Sequence, residues 1–128
     1  MAVKVIDASA FAAILFSEPE AREVAERLGG SRLVAPALLP FEVASVCLKK
    51  IRRHPEMREQ MLDAYARGER IGVEEVEVTL DEVVTLAEQT NLTCYDAAYL
   101  WLATRLKADL VTLDQRLGGA AEELLPSS

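Results

Sequence analysis

Histidine, cysteine and aromatic residues are scarce in this 128-residue chain, which has one histidine, two cysteines and 5% aromatic residues. A disulfide-stabilised scaffold needs more cysteines, and a zinc site needs Cys and His residues at short spacings. The single histidine, His54, lies in a basic cluster at a predicted helix end, where we expect a solvated side chain. The composition therefore argues against zinc chemistry and against hydrolases that use a Ser–His or Cys–His pair.

Long apolar runs are also absent, and none approaches the roughly 20 residues that a membrane-spanning helix needs. The chain enters a predicted strand at its start, without the basic and apolar segments of a secretory signal. Apolar residues nevertheless make up 51% of the chain, enough for a buried core and too many for a disordered protein. We expect one domain over residues 1–125, a loose tail over 126–128 and a cytoplasmic location.

Positive charge is in deficit, and the formal net charge of −7 disfavours binding to a phosphate backbone. The distribution of charge weakens this argument, because residues 49–58 contain five Lys or Arg residues and one Glu. Within this segment Lys49, Arg52 and Arg53 are candidate phosphate contacts. The alternative is a solvated helix end, where basic side chains also interact favourably with the helix dipole.

Strand-like and helix-like segments alternate along the chain, which predicts an α/β fold with a mainly parallel sheet. Strands are predicted over 3–6, 32–35, 71–78 and 109–113. Val and Glu alternate in the third of these, which is typical of an edge strand. Helices are predicted over 9–15, from an opening at 17–20 to 28, and over 38–53, 56–67, 80–89, 94–107 and 115–124.

Four acidic residues stand beside apolar segments rather than on polar faces: Asp7, Glu42, Asp96 and Asp114. Asp7 and Asp114 follow predicted strands, at the edge where open α/β sheets place their binding crevice. A buried carboxylate without a partner costs several kcal/mol or gives up its charge. A divalent metal ion shared by the four is the simplest explanation of the pattern.

Three of these acids have a structural alternative. Asp7 and Asp114 can each cap the helix that follows, and Asp96 can form a variant of a capping box with Thr93. For each of the three, capping and metal binding remain open.

Glu42 has no such alternative, because it is predicted inside a helix on a face that it shares with Leu38 and Val46. Ser45 and Lys49 are the neighbours that offer a hydrogen bond or a counter-charge. A salt bridge is therefore its structural explanation, and a metal site is its functional one.

Four segments of the sequence resemble the motifs of PIN domains, especially those of VapC-type toxins from prokaryotic toxin–antitoxin pairs. They are Val-Ile-Asp-Ala-Ser-Ala at 5–10, Pro-Phe-Glu-Val-Ala-Ser-Val at 40–46, Thr-Cys-Tyr-Asp-Ala-Ala-Tyr at 93–99 and Leu-Val-Thr-Leu-Asp at 110–114. The order and spacing fit, and the resemblance covers nearly the whole chain.

The resemblance implies a three-layer α/β/α sandwich with a mainly parallel sheet of four to five strands. It implies an acidic pocket that holds Mg²⁺ or Mn²⁺ and an endoribonuclease activity, commonly on tRNA or rRNA. It also implies a homodimer and a small antitoxin whose C-terminal segment occludes the pocket.

By the same resemblance, the four acids are the metal ligands and the catalytic residues, with Asp7 and Asp96 as the central ligands. Asp114 completes the site directly or through water, and Glu42 binds a second ion or positions the attacking water. Two positions that are often polar in the family carry supporting residues here, Ser9 and Thr112. No further acid directly follows the fourth motif, as it does in some members, which leaves the number of metal ions open.

Two other functions remain open. A receiver-like phosphoacceptor domain also places acids at strand ends, but it needs an adjacent acidic pair near the start and a lysine after a late strand. Lys4 and Lys107 fit neither requirement. An inactive PIN-like binding module would use the pocket only for a partner, and the intact set of four acids argues against it.

The few aromatic side chains are predicted to lie in the core. Tyr95, Tyr99 and Trp101 share a helix that is apolar almost all round, which is typical of a buried central element. Stacking of Tyr95 on a nucleic-acid base is the alternative.

Overall fold

The computed structural model describes residues 2–125, which form four strands and seven α-helices. The strands are β1 (Val3–Ile6), β2 (Arg32–Pro36), β3 (Glu74–Val76) and β4 (Asp109–Val111). The helices are α1 (Ala8–Leu15), α2 (Ala21–Leu28), α3 (Leu39–Arg53), α4 (Arg58–Arg67), α5 (Leu80–Thr90), α6 (Cys94–Leu106) and α7 (Gln115–Leu124). The predicted loose tail at 126–128 lies outside the described residues.

The four strands form one sheet in the order β3-β2-β1-β4, and every neighbouring pair is parallel. The predicted α/β fold with a parallel sheet is therefore confirmed. Helical crossovers join the parallel strands, so that all the carboxyl ends lie at one edge of the sheet. Because β1 and β4 are neighbours, the residues that follow them come together at that edge.

Two of the strands are shorter than the sequence pattern predicts. The edge strand begins at Glu74 rather than at residue 71, because Ile71 completes a 3₁₀ turn and Gly72 adopts a left-handed conformation with φ of 74°. The last strand ends at Val111, since the polar groups just beyond it bond to side chains of the site instead of continuing the ladder. The prediction that the third strand lies at a sheet edge is confirmed.

Helix α6 is the central helix, and it packs on β1, β2 and β4 as well as on α5 and α7. Tyr99 is among the largest fully buried side chains, as predicted, and Trp101 is partly buried. The prediction is wrong for Tyr95, which is 65% exposed. The reason is that the buried part of α6 begins only at Ala97, so the first turn of the helix lies outside the core.

Within residues 2–125, every helix is too short or too polar to cross a membrane.

Candidate acidic active site

Asp7 lies at the carboxyl end of the central strand β1, where it is almost fully buried and caps helix α1. Its Oδ1 accepts hydrogen bonds from the Ser9 hydroxyl at 2.8 Å and from the Ala10 backbone N–H at 3.0 Å. Its Oδ2 accepts a bond from the Thr112 hydroxyl at 2.5 Å. Three donors therefore fix both oxygens of this carboxylate, which is how a buried acid is retained next to an apolar core.

Ser9 and Thr112 join the end of β1 to the loop that follows β4. The Ser9 hydroxyl accepts a bond from the Leu113 N–H at 2.9 Å, and the Thr112 hydroxyl accepts one from the Asp114 N–H at 3.0 Å. Each hydroxyl thus donates a hydrogen bond to Asp7 and accepts one from a backbone N–H of the loop that follows β4. Both residues, which the resemblance marked as supporting ones without naming an acid, therefore bond to Asp7.

Asp114 and Asp96 lie at the starts of two helices. Asp114 is exposed and caps α7, because its Oδ1 accepts a bond from the Leu117 N–H at 2.8 Å. Asp96 is half-buried in the first turn of α6, and its N–H donates to the Thr93 hydroxyl at 3.1 Å. The capping expected for Asp7 and Asp114 is therefore present, as is the bond between Thr93 and residue 96. A cap uses only part of a carboxylate, so these contacts leave metal binding open.

Glu42 is half-buried in the first turn of α3, and its partner is not the one that the sequence analysis considered. Its Oε1 accepts a bond from the Tyr99 hydroxyl at 2.6 Å, across 57 residues of sequence. Among the described residues neither Ser45 nor Lys49 bonds to it, and both are exposed. The alternative of a salt bridge for Glu42 is therefore wrong, because the hydroxyl of the buried Tyr99 bonds to this carboxylate instead.

Tyr99 is the site residue that sequence reasoning missed. The prediction of a core residue is correct for its ring and incomplete for its hydroxyl, which bonds to Glu42. Two features of the sequence indicate a role for Tyr99 in the site. A buried tyrosine hydroxyl needs a hydrogen-bond partner. Tyr99 also follows Asp96 by three residues, which places it on the same face of α6. Neither feature identifies Glu42 as the partner.

The carboxyl groups of this site influence one another electrostatically. Burial raises the pKa of Asp7 above its usual range, and the charge of Asp96 raises it further, against the lowering effect of its three donors. Burial also raises the pKa of Glu42, and nearby Asp96 and Asp7 add to this effect against the bond from Tyr99. Burial and the neighbouring acids both disfavour the charged forms of these carboxylates, and a bound cation would favour them.

Asp96 interacts electrostatically with each of the other three acids. Burial raises its pKa, the charge of Asp114 raises it further, and Arg116 acts in the opposite direction. Asp96 thus interacts with Asp7, Glu42 and Asp114. The four acids predicted from the sequence come from four separate elements, and the fold brings them into one electrostatically coupled cluster.

The fold brings only one of the three candidate RNA contacts close to this cluster. Lys49 lines an open cavity of about 690 Å³ together with Phe41, Glu42 and Tyr95. The exposed side chains of Arg52 and Arg53 lie at the far end of α3, about 16 Å along the helix axis from Glu42.

The donor chemistry of the cluster fits Mg²⁺ or Mn²⁺, because its candidate ligands are all carboxylate oxygens. Within residues 2–125, no group of three or more His, Cys, Asp or Glu side chains is arranged so that it could hold a metal ion as it stands. Binding one ion would require side-chain rotation. Asp114 and Asp96 have the freedom for this, since one is exposed and the other is half-buried.

Comparison with known proteins agrees with this architecture. Residues 4–123 match the sequence profile of the family described as PIN domain. The chain is 34% identical over 127 residues to VapC ribonuclease Mb0985 of Mycobacterium bovis and to ribonuclease VapC9 of Mycobacterium tuberculosis, covering 95% of this chain and 94% of each relative. It is 33% identical over 119 residues to ribonuclease VapC3 of Pyrobaculum aerophilum, covering 88% of this chain and 90% of that protein.

A solved structure, described as the crystal structure of PAE2754 from Pyrobaculum aerophilum, superposes with a TM-score of 0.72 at 25% identity. The superposition covers 91% of this chain and 82% of the other. Since the family profile spans nearly all of the sequence and the named relatives align over almost their whole length, the chain belongs to the PIN domain family.

Proposed function

We propose that the protein is a Mg²⁺- or Mn²⁺-dependent endoribonuclease that hydrolyses RNA phosphodiesters and acts as the toxin of a toxin–antitoxin pair. The observation that carries the proposal is the coupled cluster of Asp7, Glu42, Asp96 and Asp114 at the carboxyl edge of the sheet. The ribonuclease names of the mycobacterial and archaeal relatives support the reaction class. Membership in the PIN domain family also removes the receiver-like alternative.

In this proposal Asp7 and Asp96 are the central metal ligands, and Asp114 completes the site directly or through water. When bound, the ion lowers the pKa of a coordinated water and offsets the charge that develops on the phosphate. Asp7 is preorganised for its role, because Ser9 and Thr112 hold its oxygens before any ligand arrives. Preorganisation of this kind lowers the cost of reaching the reactive geometry.

Glu42 either contacts a second ion or positions the attacking water. Hydrolysis forms a bond between the water oxygen and phosphorus, breaks the bond from phosphorus to the departing ribose oxygen, and transfers a proton to that oxygen. A carboxylate beside the attacking water accepts its hydrogen bond and aligns it. No histidine is available for this work near the acids, since His54 is exposed at the end of α3.

The substrate and partners belong to the same proposal. We propose tRNA or rRNA as the substrate, a cognate antitoxin and a second copy of this chain as the protein partners, and the cytoplasm as the location. Lys49 is the best placed of the basic residues to hold a substrate phosphate, because it lines the cavity that Glu42 also borders. Arg52 and Arg53 would bind phosphates farther along the RNA.

The test is cleavage of total cellular RNA by purified, antitoxin-free protein in Mg²⁺, Mn²⁺ or EDTA. We expect discrete fragments in either metal, none in EDTA and none from Asp7→Asn. Total RNA is used because a narrow specificity can miss any single test substrate. Absence of cleavage in every metal would overturn the proposal and favour an inactive PIN-like binding module.

A further inference from the structure

Glu42 and Asp7 differ in how firmly the protein holds them. Asp7 accepts three hydrogen bonds that fix both of its oxygens. Glu42 accepts one, at Oε1, and the donor is the Tyr99 hydroxyl at 2.6 Å. Among residues 2–125 no donor bonds to its Oε2. Within the described residues, a single hydrogen bond therefore orients the carboxylate of this longer and more flexible side chain.

The core holds Tyr99, the donor of that hydrogen bond, in a fixed position. It is 1% exposed, and it belongs to α6, which packs against three strands of the sheet. The same helix carries Asp96 one turn earlier. The distance between the Tyr99 hydroxyl and the acidic cluster is therefore set by the packed core rather than by a mobile loop.

The phenol is the donor in this contact, because an ionised carboxylate can only accept. A neutral hydroxyl that donates to a carboxylate at this distance forms a charge-assisted hydrogen bond, which is among the stronger kinds in proteins.

We propose that Tyr99 is a positioning residue for Glu42: it binds Oε1 and so directs Oε2 toward the crevice where the ion or the attacking water binds. The proposal rests on the function proposed above. Tyr99 itself does not touch the substrate, since its hydroxyl is taken up by Glu42 and its ring is buried. Its effect on the reaction passes entirely through the geometry of that one carboxylate.

The test compares wild type with Tyr99→Phe, Glu42→Gln and the double variant, measuring kcat and KM on the RNA that wild type cleaves. Tyr99→Phe keeps the buried ring and removes only the hydroxyl, and we expect it to lower kcat about 10-fold with KM nearly unchanged. We expect the double variant to be no slower than Glu42→Gln alone, because Tyr99 acts through Glu42. Independent, multiplying losses would overturn the proposal, as would an unchanged kcat in Tyr99→Phe.

Tyr65→Phe is the matched control, since its hydroxyl bonds the Pro40 carbonyl at 3.2 Å and contacts none of the four acids. We expect its kcat to equal that of wild type. Ser9→Ala is a second comparison, because Asp7 keeps two other donors when this one is removed. It should slow the reaction less than Tyr99→Phe does.

A high-resolution crystal structure of Tyr99→Phe separates this proposal from the proposed function. We expect Glu42 to occupy one conformer in wild type and several, or a different one, in the variant. A Glu42 that keeps its wild-type conformer in Tyr99→Phe would overturn the positioning role, even if the protein is a ribonuclease. If wild type cleaves no RNA, the proposed function fails, and the conformers still decide whether Tyr99 positions Glu42.

Discussion

At the scale of single residues, two of the four acids serve the fold and the site together. Asp7 and Asp114 each cap a helix with one oxygen, and both belong to the coupled cluster through Asp96. We therefore expect removal of either residue to change stability through the cap and the proposed activity through the cluster. Asp96 separates the two effects best, because the cap of its helix is the Thr93 hydroxyl and not its own carboxylate.

We expect Asp96→Asn to raise the free energy of unfolding in EDTA at pH 7 and to abolish metal-dependent cleavage. Burial and the charge of Asp114 raise the pKa of Asp96 in the folded state, so its charged form destabilises the fold above that pKa. This gain in unfolding free energy over wild type should shrink as the pH falls through the raised pKa toward the ordinary value of 3.8, because the wild-type carboxyl then becomes neutral like the Asn side chain.

Urea unfolding of both proteins between pH 4 and pH 8 measures this difference. A gain that stays constant with pH, or a variant less stable than wild type at pH 7, would contradict the account.

Thr112 is the buried side-chain donor to Asp7, and we expect Thr112→Val to destabilise the protein by about 1–3 kcal/mol. The substitution keeps the shape of the side chain but leaves Oδ2 of Asp7 without its donor and the Asp114 N–H without its acceptor. Cleavage should also slow, since Asp7 is less firmly held. Thr104→Val is the control, because Thr104 is exposed and its hydroxyl donates to the Leu100 carbonyl of its own helix, with no other side-chain bond among the described residues. Equal unfolding free energies for the two variants would argue against a special role for Thr112.

At the scale of secondary-structure elements, α3 combines an acidic start with a basic end. Glu42 lies in its first turn, and Lys49, Arg52 and Arg53 lie in its last two turns. If RNA follows this helix, we expect reversal of Arg52 and Arg53 to Glu to weaken RNA binding and to flatten its dependence on salt. Filter binding of RNA to the Asp7→Asn background from low to moderate salt measures both quantities.

Arg22→Glu is a control for the location of the reversed charge, since Arg22 is exposed on α2 and its one ion pair within residues 2–125 is with Glu26, one turn away. Its binding curve and salt slope should stay close to those of the Asp7→Asn protein. An Arg52 and Arg53 reversal that behaves like this control would show that the basic end of α3 is only a solvated helix end.

Sequence patterns predict the bounds of a helix or strand well where these bounds depend on residues that are close in the chain. The periodicity of 38–53 and 94–107 and the strand pattern of 3–6 depend on neighbours in the chain, and the structure has α3, α6 and β1 within one or two residues of those bounds. The alternating pattern of 71–78 overstated β3, because the left-handed Gly72 ends the preceding turn and the pairing with β2 begins only at Glu74.

The same difference between local and long-range features explains why the bond between Tyr99 and Glu42 was not predicted. Strand ends and helix starts are local features, so the positions of Asp7, Asp96 and Asp114 could be predicted. The bond from Tyr99 to Glu42 joins residues 57 positions apart on two different helices, and the tertiary packing of α3 and α6 determines it. A hydroxyl in an apolar helix indicates that some partner exists without indicating which one.

At the scale of the whole molecule, we expect the acidic cluster to make the stability of the protein depend on divalent ions. An ion that binds only the folded state stabilises it by mass action, and an ion bound among these carboxylates would also relieve their mutual repulsion. We expect millimolar Mn²⁺ to raise the Tm of wild type and to raise that of Asp7→Asn much less. Differential scanning fluorimetry with EDTA and with Ca²⁺ as reference conditions measures the shift. Equal shifts in the two proteins would show that Asp7 is not a ligand.

The central claim is that Asp7, Asp96 and Asp114 hold a divalent ion at the carboxyl edge of the sheet, with Glu42 facing it. The most direct test is a crystal structure of the protein in Mn²⁺, with anomalous scattering recorded at the manganese edge. The account predicts an anomalous peak within coordination distance of Asp7 and Asp96, lost in Asp7→Asn. A peak bound elsewhere, or no peak at a Mn²⁺ concentration that supports cleavage, would contradict it.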